Sequence, residues 1–125
     1  MKIVLFKDAK GSVPVRDFLD GVFRRDKRAW AKALVFIECL QEEGYRLRRP
    51  ICDYLRDGIF ELRPSFGGVN YRILYFFHED KAAILAHGLA KEGRIPEKDI
   101  DLAIMRKSIF LTDPDGYSDE ADQRK

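Results

Sequence analysis

Cysteine and histidine are scarce in this chain. It has two of each, Cys39 and Cys52, His78 and His87, and no pairing of them has the spacing of a zinc ligand set. A structural metal is therefore not expected, and the thiols read as small apolar residues: Cys39 lies in an apolar helical run, and Cys52 follows a basic turn. Long apolar runs are missing too, so nothing is long enough to span a bilayer. Met1 to Lys7 is too short for a signal peptide and leads straight into charge, which makes a cytoplasmic protein the expectation. Gly67-Gly68 lacks the strand-to-helix context and the following Lys-Ser/Thr pair of a phosphate loop. No serine nucleophile arrangement and no internal repeat occur. These absences point away from metal, small-molecule cofactor and membrane as partners.

What remains is a chain of 125 residues, 46% of them hydrophobic, which fits one soluble domain. At this size folding buries roughly two-thirds of the surface the unfolded chain exposes, so no disulfide is needed. The charge is uneven. Residues 1–110 carry 21 Lys and Arg against 16 Asp and Glu, whereas 111–125 carry 2 against 5. The expectation is a basic domain over 1–110 and an acidic, disordered tail over 111–125, since the tail is polar and has no apolar stripe. A basic excess of this size is compatible with a polyanionic partner without requiring one.

Along the chain, Lys2 to Lys7 reads as a short strand, closed by turn-forming residues from Asp8 to Ser12. Pro14 opens an amphipathic helix with Val15, Phe18, Leu19, Val22 and Phe23 at helical spacing. Asp26 is placed to cap a second helix that carries Trp30, Leu34, Ile37 and Leu40, with Gly44 closing it. Tyr45 to Asp57 reads as a connector rich in arginine, with Arg46, Arg48, Arg49 and Arg56. It is either a solvated basic loop or a rim that steers phosphates.

Three strands follow. Ile59 to Arg63 alternates, with Phe60 and Leu62 on one face and Glu61 and Arg63 on the other. After the Gly67-Gly68 hairpin, Val69 to Phe77 puts Tyr71, Ile73 and Tyr75 on one face and Asn70, Arg72 and Leu74 on the other. Ala82 to Ala90 is apolar on both faces, as a central strand is, and ends at His87, Gly88 and Lys91. Pro96 then starts a last helix, with Ile100, Ala103 and Ile104 spaced to lie on the body. The architecture expected is α+β: an N-terminal strand, a two-helix hairpin, a three-stranded antiparallel meander and a C-terminal helix. With helices on one face of the sheet only, the other face is expected to be open to a ligand.

The chemistry-bearing residues gather on that face. Cleaving RNA without a metal needs the 2′-hydroxyl to attack the adjacent phosphate in line. The site must take one proton, give another to the leaving 5′-oxygen and stabilise the extra charge on the phosphorane. The Arg72 fork suits a phosphate bidentately, His87 supplies an imidazole, the side chain suited to a general acid, and Glu61 could serve as base. Each has a structural counterpart: Glu61 can form an ion pair with Arg63 or Arg72, and His87 can be a hydrogen-bonded packing residue.

The tracts Gly58-Ile59-Phe60-Glu61-Leu62-Arg63, Tyr71-Arg72-Ile73-Leu74-Tyr75 and His87-Gly88-Leu89-Ala90-Lys91, with Pro96 and a helix ending in Arg106 and Lys107, resemble the HigB-like, phage-derived branch of the RelE/ParE superfamily of type II toxins. The resemblance spans Lys2 to Lys107. It implies a RelE-like fold and a ribosome-dependent messenger-RNA endonuclease that inhibits translation. It implies Arg72 as charge stabiliser, His87 as general acid and Lys91 as a basic residue sharing the proton work; Glu61 is the candidate base on its chemistry alone, at a position where RelE carries lysines and arginines. Arg63, Arg94, Arg48 and Arg49 would hold RNA phosphates. The partners it implies are the ribosome, mRNA and a cognate antitoxin of helix-turn-helix DNA-binding type. Two alternatives stay open: a ParE-like DNA gyrase inhibitor and a non-catalytic phage-derived binding module. The endonuclease reading requires Arg72 and His87 to stand on the same side of the sheet, unsealed.

Overall fold

The structure, a computed structural model, describes residues 1–119. In chain order the elements are β1 (Lys2–Phe6), α1 (Pro14–Arg25), α2 (Lys27–Glu43), a 3-10 turn (Gly44–Arg46), β2 (Cys52–Arg56), β3 (Ile59–Leu62), β4 (Ser65–Phe66), β5 (Val69–His78), β6 (Ala82–Ala90), α3 (Glu97–Thr112) and β7 (Ser118–Asp119). The sheet order is β2-β3-β5-β6-β1-β7, with β4 against the end of β5. β1 runs parallel to β6, and every other pairing is antiparallel. The α+β fold, the boundaries of the main strands and the helical hairpin follow the alternation and caps read from the sequence.

Local chemistry accounts for the helix ends. Asp26 accepts the Arg28 amide at the start of α2 at 2.9 Å, which satisfies one of the amides a helix N-terminus leaves unpaired. Gly44, at φ 55°, ends α2 in a left-handed conformation that a side chain would disfavour. On one face of the sheet α1 and α2 bury Val15, Leu19, Ala33 and Leu40 against Leu62, Ile73, Tyr75 and Leu85. Gly88 lets α1 close on β6, because a methyl there would overlap the Phe18 ring.

Three expectations are corrected. The second face is not open: α3 lies on it, and Ile95, Ile100, Ala103 and Phe110 pack on Val4, Ile59, Leu74, Phe76 and Ile84. The connector from Tyr45 to Asp57 is not all loop, since Cys52–Arg56 forms the edge strand β2 against β3. Asp53 and Arg56 mask the alternation of a half-buried edge strand. The tail expected to be disordered from 111 onward is folded through Asp119. α3 continues to Thr112, Tyr117 stacks on Phe6 at 6.1 Å, and β7 pairs with β1. The apolar anchor there is a single tyrosine, too sparse to register as a stripe. Residues 120–125, the remainder of that tail, lie outside the described residues.

Candidate functional site

Strand parity puts Glu61, Arg63, Asn70 and Arg72 on the α3 face of β3 and β5, as the alternation predicts. Glu61 sits opposite Leu74, and Ser65 opposite Asn70. β6 reaches the same result through an irregularity. Leu85 pairs with Tyr75 and His87 with Leu74, so Ala86 is an extra residue in the strand. Such a bulge turns two successive side chains to one side. Without it His87 would share the face of Leu85; with it, His87 and Arg72 stand on the same side of the sheet.

They do not share one pocket, so the single unsealed site expected of the two is not formed: α3 holds His87 through Asp99 and Arg106, and only Arg72 faces a cleft. Arg72 lines a cleft of about 360 Å³ with Arg49, Pro50, Arg63, Ser65 and Asn70. Its Nη1 donates to Glu61 Oε1 at 2.8 Å and its Nη2 to the Gly93 carbonyl at 2.7 Å. Both partners of the Glu61–Arg72 pair are buried, at 4% and 6% exposure. Glu61 Oε2 also lies 3.9 Å from Arg63 Nε. The carboxylate thus braces two guanidinium groups on the floor of the cleft.

Arg49 enters from the connector and is held by Asp53 at 2.6 Å. That guanidinium, more than any other neighbour, keeps the Asp53 carboxyl below its ordinary range. Three arginines against two carboxylates leave the cleft cationic. Each guanidinium has five N–H donors, more than its protein partners use, so donors remain for an incoming oxyanion.

His87 belongs to a second cluster. Its Nε2 is 2.8 Å from Asp99 Oδ1, and its Nδ1 is 3.3 Å from Arg106 Nη1, which also donates to the Ala86 carbonyl at 2.8 Å. A guanidinium only donates, so the Arg106 contact makes Nδ1 the acceptor and places the ring proton on Nε2, toward Asp99. Both ring nitrogens are engaged. Burial lowers the Arg106 pKa, with the Asp8 charge opposing. Asp99 and Arg106 were not singled out from the sequence as site residues, although their spacing of two helical turns places both on one stripe of α3.

The other candidates separate. Lys91 is exposed, its amide donates to Asn70 at the cleft end at 3.0 Å, and its ammonium has no side-chain partner among the described residues. Arg48 turns away to the carbonyls of Tyr45 and Leu47. Arg94 is solvent-exposed beside Glu97, outside the cleft lining. Asn70 and Ser65, which line the cleft, were missed as site residues; Asn70 has the parity of Arg72, and that was the available signal. Among the described residues no group of His, Cys, Asp and Glu could hold a metal ion. No helix there is long and apolar enough to cross a membrane.

The sequence model of the family described as "Phage derived protein Gp49-like (DUF891)" matches residues 22–108. A protein of Mycobacterium tuberculosis (strain ATCC 25618 / H37Rv) named "Putative toxin HigB3" is 34% identical over 101 residues, which cover 75% of this chain and 87% of that protein. The region matched by the family model contains the second helix of the hairpin, the cleft and the first three turns of α3. The chain belongs to the phage-derived, Gp49-like family, in the HigB-like branch of the RelE/ParE superfamily.

Proposed function

We propose that this protein is the toxin of a type II toxin–antitoxin pair and acts as a ribosome-dependent mRNA endonuclease. Its cognate antitoxin, of helix-turn-helix type, holds it inactive in the cytoplasm. The observation that carries the reading is the cleft in which Arg49, Arg63 and Arg72 converge. Family membership and the name carried by the M. tuberculosis relative support the toxin assignment.

In this reading the scissile phosphate enters the cleft and its non-bridging oxygens accept from Arg63 and Arg72. The paired guanidiniums stabilise the charge that grows on the phosphorane, and they are already oriented by Glu61 before substrate arrives. Lys91, exposed at the cleft end, gives a proton to the departing 5′-oxygen, and solvent water takes the proton of the attacking 2′-hydroxyl. Glu61 is the brace of Arg72, since Oε1 is bound by it and Oε2 faces Arg63. His87, held by Asp99 and Arg106, fastens α3 to β6. These roles differ from the acid and base roles expected for His87 and Glu61, because the donors and acceptors both groups would need are engaged within the protein.

The test is to induce the chain without its antitoxin, map RNA ends across the transcriptome and follow translation. The expected result is growth arrest, rapid loss of translation and cuts at codon boundaries. DNA damage with intact transcripts would establish the gyrase reading instead. Unimpaired growth would leave a binding module.

A further inference from the structure

The turn between α1 and α2 carries Arg24, Arg25, Lys27 and Arg28 within five residues. The one carboxylate among them, Asp26, is turned back as the cap of α2. Most arginines elsewhere are tied up, Arg49 to Asp53, Arg56 to Glu97 and Asp101, and Arg72 to Glu61. By contrast no side-chain ion-pair partner is found for Arg24, Arg25 or Lys27 among the described residues, and Arg28, 3.6 Å from Asp26, keeps 81% of its side chain exposed. Helix stability accounts for two of them, since Arg24 and Arg25 stand in the last turn of α1, where the helix dipole favours cations, but not for the other two. Lys27 and Arg28 stand in the first turn of α2, which holds no acidic residue, where the helix dipole disfavours cations.

Aromatic rings are interleaved with this charge. Phe23, 42% exposed, meets Trp30 edge-on at 5.0 Å, and the Arg28 guanidinium lies 5.3 Å from the Phe66 ring centroid. Phe66 belongs to β4, whose other residue, Ser65, lines the arginine cleft. Between the cleft and the helical tip stands the β4–β5 turn, Gly67-Gly68, around which a side chain would meet nothing. Two cationic surfaces thus flank a bare turn, an arrangement that lets a sugar–phosphate backbone pass from one to the other without a steric barrier.

We infer that the α1–α2 tip is a second RNA-backbone site, which holds the strand leaving the cleft after it rounds Gly67-Gly68. The inference rests on the nuclease reading only for the identity of the polyanion as RNA; the tip holds phosphates and contributes no chemistry. Its hold is independent of sequence, because cations on phosphate fix register and affinity without reading bases.

The experiment compares wild type with R24A/R25A/K27A and with the charge-matched control K2A/K10A/K81A. Binding to a 20-nucleotide single-stranded RNA is measured across a salt series, and cleavage is scored in a translating extract. For the tip variant, the slope of log K against log salt should shrink by about 2, since each phosphate the protein no longer neutralises removes about 0.7 from it, and affinity should fall about tenfold. The control should keep the wild-type slope. Equal losses in both triple variants, an unchanged slope in the tip variant, or a preference of the tip for vesicles of anionic phospholipid over RNA would overturn the inference. The two readings fail separately. A tip-dependent slope without any mRNA cleavage keeps this site and removes the nuclease; cleavage with a slope indifferent to the tip does the reverse.

Discussion

A guanidinium and a carboxylate taken out of water together depend on each other far more than the same pair at the surface. Glu61 and Arg72 are such a pair, and Arg63, with 31% of its side chain exposed and 3.9 Å from Glu61, is not. Replacing Glu61 by Ala should therefore lower stability by about 3–5 kcal/mol, because Arg72 is left buried and uncompensated. Replacing Arg63 by Ala should shift stability by less than about 1 kcal/mol while, on the proposed nuclease reading, abolishing RNA cleavage. Urea midpoints and a cleavage assay on the two variants separate the brace from the phosphate contact; equal stability losses would contradict this division. Tyr75 makes a pH prediction. Burial, then the Cys52 thiol, push its phenol well above the ordinary value of 10. The unfolded chain therefore loses this proton at a lower pH than the folded one. The associated stability is full below about pH 10 and is lost as pH rises beyond it. Alkaline titration should show tyrosinate absorbance from Tyr75 only as the protein unfolds, and Tyr75→Phe should flatten that part of the stability profile. The Glu61–Arg72 pair was legible in the sequence because both residues have the parity of the α3 face. The partners of His87 were not, since they lie on a helix whose docking the strand pattern does not encode.

At the level of elements, two bulges decide what α3 can grip. Ala86 is the extra residue in β6, and the register also shifts between Tyr54 and Arg56 in β2. The first shift brings His87 to Asp99 and Arg106, the second brings Arg56 to Glu97 and Asp101. A strict period of two assigns both residues to the opposite face, which is why the alternation gave the strands correctly and the grip on α3 not at all. The carboxylates of Asp101, Asp57 and Glu97 hold Arg56 above its ordinary pKa, but those carboxylates are exposed and the pairs contribute little to stability. The His87 cluster is the stronger fastening. Asp99→Ala should remove about 1–2 kcal/mol and speed amide exchange along α3 while leaving RNA affinity at the cleft unchanged. Exchange in α3 no faster than in wild type would return His87 to the groups free for catalysis. On the other face, Gly88→Ala should cost about 1–3 kcal/mol through the displaced Phe18 ring, read as a lower urea midpoint with unchanged slope.

On the scale of the whole molecule, the sheet is covered on both faces and its ends are guarded differently. At one end β2 is broken by its bulge and bears Arg49, Asp53 and Arg56 around it, features that discourage strand addition. At the other, β1 is guarded by the strap that follows α3. Leu5 pairs with Asp119 and Phe6 with Ser118, while the Lys7 amide donates to the Tyr117 carbonyl at 2.9 Å. Arg16 of α1 pairs with Asp119, which is 9% exposed, and Tyr117 lies nearly parallel to Phe6 at 14°. The strap therefore supplies an aromatic contact, an ion pair and a strand edge together, so its loss should act on stability and on association at once. A chain ending at Pro114 should lose about 2–3 kcal/mol, from the Tyr117 ring and the shielded Asp119 pair, lowering the thermal midpoint by about 10 °C. Its exposed β1 edge should also make it associate as concentration rises, visible in sedimentation velocity. Tyr117→Ala in the full chain separates the two effects, since it removes the stacking and keeps the backbone pairing: it should lower the midpoint and sediment as the wild type does. A truncated chain that keeps the wild-type sedimentation and midpoint would show that β1 needs no cover and that the strap contributes nothing to the fold.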